Sequence, residues 1–424
     1  MNIYGWDTVY AVDIDVANQA LASSLSQLVS HVSEPVAGAL GNFTVEATFG
    51  AWQIAVGGSL ELLNLKIPIT KGAVIPNGKT GVSLDGCIAE FQVSLRLLPA
   101  AGQQQKLVFD MSRAGAVGDT PRPGVIVPLG FAGKGPSDPS AAPIALNGLA
   151  KALAANASSI AFAFATINLV PPATNSWLAP KNLVYLFFQG QKRGYLALLS
   201  TAGDPSKLSK VVDPELIGAG AQAGFAISLP LYYGNSLIAA LAATLPGSSI
   251  GSFAVSGDQP PRINLTRSIG MKSMRVGAID YSPSIDSYTA IPGFNQLTMN
   301  ASGSCDLGGG CSMTWNASNG TCNFVFDKNA QTIRFVPGNG MTMSRGVSVP
   351  WYYFFGGLIA YGIAQTVAQI VGSELTSSIG GGLSGGILSS APPTSIQFAG
   401  MRPFAASDAK FDGAVILIGQ GGTA

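Results

Sequence analysis

The sequence predicts an α+β fold of two units, each a long curved antiparallel sheet wrapped around amphipathic or apolar helices. Much of the chain alternates apolar and polar residues with a period of two, which is typical of strands with one buried face. Helical periodicity is confined to a few segments, and two of the helix starts resemble each other. The 424 residues also exceed what one core usually holds. Two units are therefore expected.

The first helix is predicted from Asp15 to Ser33. Asp15 is a suitable N-cap, and Pro35 ends the helical pattern. One face of this helix is apolar and carries Val16, Ala20, Leu21, Leu25, Leu28, Val29 and Val32. We expect this face to lie within the concave face of the first sheet, so Leu25→Asp should unfold the N-terminal half.

Strands are predicted wherever every second residue is apolar. In LNLKIPIT, residues 63–70, the leucines and isoleucines point one way and the other residues point the opposite way. The same alternation occurs in NFTVEATF (42–49) and EFQVSLRL (90–97). Turn signals such as Asn77-Gly78 join these segments in series, which indicates an antiparallel meander.

The later helices are predicted from two similar segments, ISLPLYY (227–233) and VSVPWYY (347–353). In each, a short strand is followed by a proline, which favours a helix start because its fixed φ suits a position where the N–H is expendable. Helices are expected at 229–245 and after Pro350, and another at 142–156.

The repeated pattern divides the chain into predicted units of residues 1–220 and 221–424. The Gly/Ala-rich segment GAGAQAG, residues 218–224, is the expected linker. Hydrophobic residues make up 47% of the chain and charged residues 11%, against a usual charged share of about 25%. Either much of the chain is buried, or some apolar surface has a function.

The segment from Gly346 to Ser373 has no charged residue and is long enough to span a bilayer. It also contains glycines and the polar residues Gln365 and Gln369. We expect a helix buried on most sides, because apolar residues surround its axis: Trp351, Tyr352, Phe354, Phe355, Leu358, Ile359, Ile363, Val367 and Ile370. The alternative is a membrane-active toxin component that inserts this apolar helix.

Charge and cysteine content restrict the function further. The chain has 23 basic and 22 acidic residues, so no overall field attracts nucleic acid. The start MNIYGWD lacks the features of a signal peptide, which predicts cytoplasmic synthesis and any release by a non-classical route. Free thiols are expected at Cys87, Cys305, Cys311 and Cys322, with a Cys305–Cys311 disulfide as the alternative for an exported protein.

The catalytic motifs in the sequence are incomplete. Gly-x-Ser-x-Gly occurs at residues 247–251 and 382–386, but the nucleophile elbow of a hydrolase needs a histidine base, and His31 is the only histidine. Gly-Lys-Thr at residues 78–80 and GAGAQA at 218–223 lack the context of nucleotide-binding loops. The sequence therefore predicts a protein that is not an enzyme and needs no cofactor or metal.

The candidate binding residues are basic. Arg262, Arg267, Lys272 and Arg275 lie in a segment with no acidic residue between Asp258 and Asp280, and Lys192 and Arg193 form a smaller cluster at a predicted hairpin tip. Cations on such tips suit anionic lipid headgroups. We predict these six residues as headgroup-binding, against the plainer interpretation that they only solubilise loops.

The N-terminal segment YGWDTVY holds three aromatic residues and a carboxylate where chains usually fray. We predict Tyr4, Trp6 and Tyr10 as packing anchors, since aromatic side chains bury large areas. Asp7 is expected to pair with a buried donor.

YGWD, followed by a short strand and a helix bearing Val16 and Asn18, resembles the N-terminus of the clostridial forty-seven-kilodalton and OrfX-type proteins encoded beside botulinum neurotoxin genes. The match covers about the first twenty residues, and beyond them the agreement is in length and in strand-helix pattern. The resemblance implies a fold of the tubular lipid-binding (TULIP) superfamily, in which a long antiparallel sheet rolls around a helix.

The resemblance also implies a function. It indicates a noncatalytic lipid- or protein-binding toxin-accessory protein, with phosphoinositides or another anionic membrane surface, or a toxin-cluster protein, as the partner. The Ala/Gly/Ser-rich composition differs from the Lys- and Asn-rich neurotoxin-cluster members. This difference favours a relative from another bacterium, such as an insecticidal toxin-cluster component.

Overall fold

The computed structural model describes the chain except for residues 39–40, 78, 170–176, 191–192, 219, 246, 351–356, 383–394, 402–403 and 421–424. As predicted, the described chain is mostly antiparallel sheet with few helices. It forms two compact units. The N-terminal unit comprises Tyr4–Phe225, Pro392–Ala405 and Gly419–Ala424, and the C-terminal unit comprises Met1–Ile3, Ala226–Ala391 and Ala406–Ile418.

The α-helices are α1 (Ile14–Ser23), α2 (Ala141–Ala155), α3 (Leu229–Tyr232), α4 (Ile238–Thr244) and α5 (Gly357–Gly382). A π-helical turn, Tyr233–Leu237, joins α3 to α4.

The strands are β1 (Thr8–Asp13), β2 (His31–Gly38), β3 (Gly41–Phe49), β4 (Gln53–Ser59), β5 (Leu62–Pro76), β6 (Val82–Ser83), β7 (Ile88–Ala100), β8 (Gln104–Asp110), β9 (Arg113–Ala114), β10 (Val125–Phe131), β11 (Ala163–Asn168), β12 (Val184–Gln189), β13 (Gly194–Ser200), β14 (Ala223–Ser228), β15 (Phe253–Val255), β16 (Ile263–Leu265), β17 (Ile269–Gly270), β18 (Met274–Val276), β19 (Ile279–Tyr281), β20 (Ser284–Gly293), β21 (Gln296–Gly308), β22 (Cys311–Asp327), β23 (Thr332–Pro337), β24 (Thr342–Ser348), β25 (Ile396–Phe398), β26 (Ala405–Phe411) and β27 (Ala414–Gln420).

The main sheet of the N-terminal unit has the strand order β2-β3-β5-β7-β8-β11-β25, and β4, β6, β9 and β10 attach to it. The predicted alternation is confirmed in β5, where Leu63, Leu65, Ile67 and Ile69 are buried and the residues between them are partly exposed. Helix α2 packs against this sheet. Its Gly148 permits a close approach, because a Cβ there would come within 3.0 Å of Val36 and Val45.

The predicted first helix is too long. Helix α1 ends at Ser23, a short 3₁₀ turn follows at Leu25–Gln27, and the chain enters β2 at His31. Serine side chains in this segment compete for backbone groups, as the Ser23 hydroxyl does by donating to the carbonyl of Ala20 at 3.0 Å. Beyond them, the β2–β3 ladder takes the residues that a longer helix would have used. The predicted burial of Leu25 is wrong, since 45% of this side chain is exposed.

The main sheet of the C-terminal unit has the order β15-β16-β20-β21-β22-β23, with β17 paired to β20 and β24 to β22. Strands β18 and β19 form a separate hairpin. Helix α5 packs against β18, β21, β22, β23 and β24 and against α4.

Helix α5 is apolar on one face rather than all round. Its described buried residues recur at helical spacing: Ala360, Ala364, Val367, Ala368, Val371 and Leu375. Tyr361, Gln365 and Gln369 on the opposite face are exposed, so the prediction of burial on most sides is wrong between residues 360 and 375. The predicted residues 351–356 lie outside the described part of the chain. Among the described residues, no helix has both the length and the hydropathy needed to span a membrane.

The four cysteines are unpaired and buried. Burial raises the pKa of the Cys322 thiol to about 11. Burial likewise raises the pKa of Cys87 and Cys305, so these thiols stay protonated at neutral pH.

Candidate functional site

Four of the predicted headgroup-binding residues lie along one segment of the C-terminal unit. The short strands β16, β17 and β18 each turn one apolar residue inward, and Ile263, Ile269 and Met274 are buried. Arg267 and Lys272 lie between these anchors, Arg262 directly precedes the first and Arg275 directly follows the last, and all four cations are exposed. We call this set the basic surface: Arg262, Arg267, Lys272 and Arg275.

The side chains of the basic surface have few strong partners. The Nε of Arg262 lies 4.0 Å from the carboxylate of Asp258, and both side chains are about half exposed. Arg267 donates to the hydroxyl of Ser249 at 3.3 Å. Pairs so exposed contribute little to stability, so the cations remain available to a ligand.

The fold brings carboxylates to a segment that is free of them in sequence. Arg275 lies opposite Asp280 in the β18–β19 hairpin. Asp286 on β20 accepts from the hydroxyls of Ser284 and Ser304 at 2.8 Å. Together with Asp258, these residues set three carboxylates against the four cations between residues 258 and 286. The local excess is therefore one positive charge.

Asp286 keeps its negative charge in mildly acidic solution. Partial burial alone would raise the pKa of Asp286, but hydrogen bonds from the hydroxyls of Ser304, Ser284 and Ser268 outweigh it and hold that pKa below the usual value. Ser268 itself belongs to the basic segment. Asp286 therefore continues to offset one of the cations as the pH falls modestly below neutral.

Sequence reasoning missed one residue beside the basic surface. Ile279 begins β19 directly after a Gly277-Ala278 turn, and 57% of its side chain is exposed. The turn signal in RVGAIDY, residues 275–281, could have placed it at a hairpin tip.

Arg193 has a structural partner. Its Nη1 donates to Oδ2 of Asp13 at 2.9 Å, and the Asp13 side chain is only 2% exposed. The other carboxylate oxygen of Asp13 accepts from the backbone N–H of Asp15 at 2.9 Å and caps α1. Arg193 therefore holds the charge of a buried helix cap. Lys192, its predicted companion, lies outside the described residues.

Asp13→Ala is expected to lower the free energy of unfolding by about 1 to 2 kcal/mol, because α1 loses its N-cap. Arg193→Gln should destabilise less, since the cap remains. The measurement is urea unfolding of both variants, with the exposed Lys181→Gln as control. If Asp13→Ala unfolds at the parent's urea concentration, the cap does not stabilise this helix.

The YGWD segment is held by specific contacts. Tyr4 and Gly5 both have positive φ, +51° and +86°, and form a turn. Trp6 is fully buried, and its Nε1 donates to the carbonyl of Ser209 at 2.9 Å. Oδ2 of Asp7 accepts from the backbone N–H of Ala202 at 2.6 Å.

Tyr10 lies in an aromatic cluster. Its ring makes edge contacts with Phe225, Phe398 and Phe404 at centroid distances of 6.0, 5.1 and 5.6 Å. Burial raises the pKa of its hydroxyl far above the usual value. Asn18, on the first helix, bonds both backbone groups of Ile54 on β4, at 3.0 and 2.7 Å. These contacts give the N-terminal motif a packing role.

The only histidine lies in an open groove. His31 forms a 3.3 Å hydrogen bond between its Nδ1 and the hydroxyl of Thr48. The groove, with a volume of about 540 Å³, is also lined by Glu46, Lys71 and Asp85. Asp85 is engaged by the backbone N–H of Gly72 at 2.8 Å. Within the described residues, no cluster of three or more His, Cys, Asp or Glu could hold a metal ion.

Comparisons with known proteins agree in both sequence and fold. The family model for OrfX-like proteins, described as Protein OrfX2/OrfX3/P47, matches residues 3–310. Protein P47 of Clostridium botulinum (strain Kyoto / Type A2) is 24% identical over 315 residues, which are 68% of this chain and 69% of that protein.

Two solved structures are similar over nearly the whole chain. P47 from Clostridium botulinum A2 has a TM-score of 0.78 and 21% identity, covering 99% of this chain and 98% of that one. P47 of Clostridium botulinum E1 has a TM-score of 0.79 and 21% identity, covering 99% and 100%. At this identity, the likeness shows a shared fold.

Proposed function

Because this chain belongs to the OrfX-like family of toxin-cluster-associated proteins, we propose that it is a noncatalytic accessory protein that binds anionic lipid through the basic surface. The observation that carries the proposal is the exposure of four cations on one segment of a chain in which only 11% of residues are charged. Cations near an anionic bilayer each contribute about 1 kcal/mol of attraction. A toxin-cluster protein with an acidic face is the alternative partner.

The proposal includes a TULIP-like arrangement in each unit, with the curved sheet wrapped around its helices. Packing of α2 on the main sheet of the N-terminal unit supports it there, and packing of α5 on five strands supports it in the C-terminal unit. Lipid extraction and mass spectrometry of the mildly purified protein would test for an enclosed acyl chain. Synthesis in the cytoplasm and release by a non-classical route, to an insecticidal or other toxin-cluster role, belong to the same proposal.

Replacing all four residues of the basic surface with glutamine is expected to weaken binding to phosphoinositide vesicles more than tenfold. The attraction is screened beyond about 8 to 10 Å at moderate salt, so the parent's binding should fall steeply with ionic strength. Folding should be unaffected, because exposed charges rarely change stability by more than about 0.5 kcal/mol. Vesicle co-sedimentation over a salt series measures both effects.

The matched control replaces four exposed lysines of the N-terminal unit with glutamine: Lys79, Lys106, Lys151 and Lys207. Each quadruple variant loses four positive charges and changes the formal net charge from +1 to −3. If the two variants bind vesicles equally well, net charge rather than the basic surface governs binding. If the parent does not bind vesicles at all, the lipid proposal fails and a protein partner replaces it.

A further inference from the structure

We propose that the tip of the β18–β19 hairpin inserts Ile279 into the apolar region of an anionic bilayer, a role that rests on the proposed function and adds an apolar anchor to it. The binding partner of the hairpin tip is then a membrane, and Lys272 and Arg275 contact the lipid headgroups.

The hairpin has an apolar face that extends past the core. Met274 pairs with Tyr281 and Val276 pairs with Ile279. Residues two apart in a strand share a face, so Ile279 lies on the same face as Tyr281. Tyr281 is 3% exposed, whereas Ile279 is 57% exposed. The apolar face therefore continues beyond the packed part of the unit and leaves Ile279 in solvent.

The turn keeps this tip narrow. Gly277 has φ of +66°, a conformation that costs glycine little, and Ala278 completes the connection. Both residues are small and exposed. Gly277, Ala278 and Ile279 carry no charge, and the next residue, Asp280, lies opposite Arg275 in the hairpin.

The charge balance explains why an apolar anchor is needed. The basic surface and its neighbouring carboxylates leave one net positive charge, so the electrostatic attraction is smaller than the four cations alone would give. Stable membrane attachment usually takes two signals, such as an apolar group together with a basic patch. Lys272 and Arg275 are exposed and lie within seven residues of Ile279, and long basic side chains can reach headgroups while an apolar neighbour inserts.

Phe294 provides a matched control. It is 68% exposed at the tip of the β20–β21 hairpin, in the same unit. The hairpin with Ile279 precedes β20 and Phe294 follows it, so the ten residues of β20 lie between the two tips along the chain. Phe294 has no basic residue within ten positions on either side.

The first experiment measures partition of Ile279→Ser and Phe294→Ser onto vesicles of phosphatidylcholine and phosphatidylserine. Ile279→Ser should bind about tenfold more weakly, as expected for losing a buried isoleucine, and Phe294→Ser should bind like the parent. The loss should be equal at low and high salt, because it is not electrostatic. Both variants should melt like the parent, since both side chains are exposed.

The second experiment locates the tip. Ile279→Cys and Phe294→Cys are labelled with a polarity-sensitive fluorophore, which should react selectively because the native cysteines are buried. On vesicles, the label at position 279 should shift to the blue and be quenched by bromolipids, and the label at position 294 should do neither.

The outcomes separate the two proposals. If the parent binds in a salt-dependent way but Ile279→Ser binds equally well, the proposed insertion of Ile279 is wrong, and the proposal of lipid binding through the basic surface is retained. If Ile279→Ser loses binding while the label at position 279 stays in water, the tip contacts a surface without entering it, and insertion is again wrong. If the parent never binds vesicles, both proposals fall.

Discussion

Gly303→Ala is expected to destabilise the C-terminal unit by more than about 3 kcal/mol. Gly303 lies on β21 directly opposite Trp315 on β22. A Cβ at position 303 would overlap both the carbonyl oxygen of Ser284 and the indole ring of Trp315, which is fully buried. A backbone oxygen in a paired strand cannot move aside, so the sheet would have to open. Urea unfolding followed by tryptophan fluorescence measures the change.

Gly270→Ala is the control for this substitution. Gly270 is also a strand glycine of the C-terminal unit, but a Cβ there would meet no atom within 4 Å. We expect its free energy of unfolding to stay within about 0.5 kcal/mol of the parent's value. Equal stability of the two variants would show that β21 and β22 can separate without cost at Gly303.

Leu21→Asp is expected to destabilise the N-terminal unit by about 3 to 5 kcal/mol, the effect of an uncompensated buried charge. Leu21 is on α1 and has no exposed surface. The helix packs against β1, β4 and β13, so a carboxylate at this position would be enclosed by strands. Hydrogen exchange of the α1 amides, together with thermal melting, would report the loss.

Leu25→Asp tests whether α1 ends at Ser23, as observed, or continues to Ser33, as the sequence predicted. A helix continuing to Ser33 would bury Leu25 as deeply as Leu21. With the helix ending at Ser23 and Leu25 45% exposed, we expect a change within about 0.5 kcal/mol. Strong destabilisation by Leu25→Asp would contradict the observed end of α1.

The strands were predictable because their signal is local. Between residues 63 and 70 of β5, buried leucines and isoleucines alternate with Asn64, Lys66, Pro68 and Thr70, so the pattern alone assigns the faces. The end of α1 was not predictable in this way, because Val29 and Val32 fit a helical face and a strand equally well. The ladder that pairs Val32 with Ala47 decides between them, and it depends on residues distant in sequence. The repeated helix start predicted units of continuous chain, whereas each compact unit also takes in distant segments.

The charge of the basic surface was likewise only partly predictable from the sequence. The sequence identified the four cations and their spacing, and the structure exposes all four. The sequence did not predict that strand pairing places Asp280 opposite Arg275, or that Arg193 bonds the carboxylate of Asp13, 180 positions earlier. Because folding places carboxylates beside these basic residues, counting charges along the sequence overestimates the local positive charge.

The pairing of β25 with β11 has a consequence for how the protein is made. β25 closes one edge of the main sheet of the N-terminal unit, where Ile396 pairs with Ile167. During translation, about 230 residues separate the two strands, which at typical rates means roughly 10 to 50 s on the ribosome. Throughout that interval the nascent chain exposes the unpaired edge of β11, a template for aggregation. Synthesis of this protein should therefore depend on chaperones that hold the chain until β25 emerges.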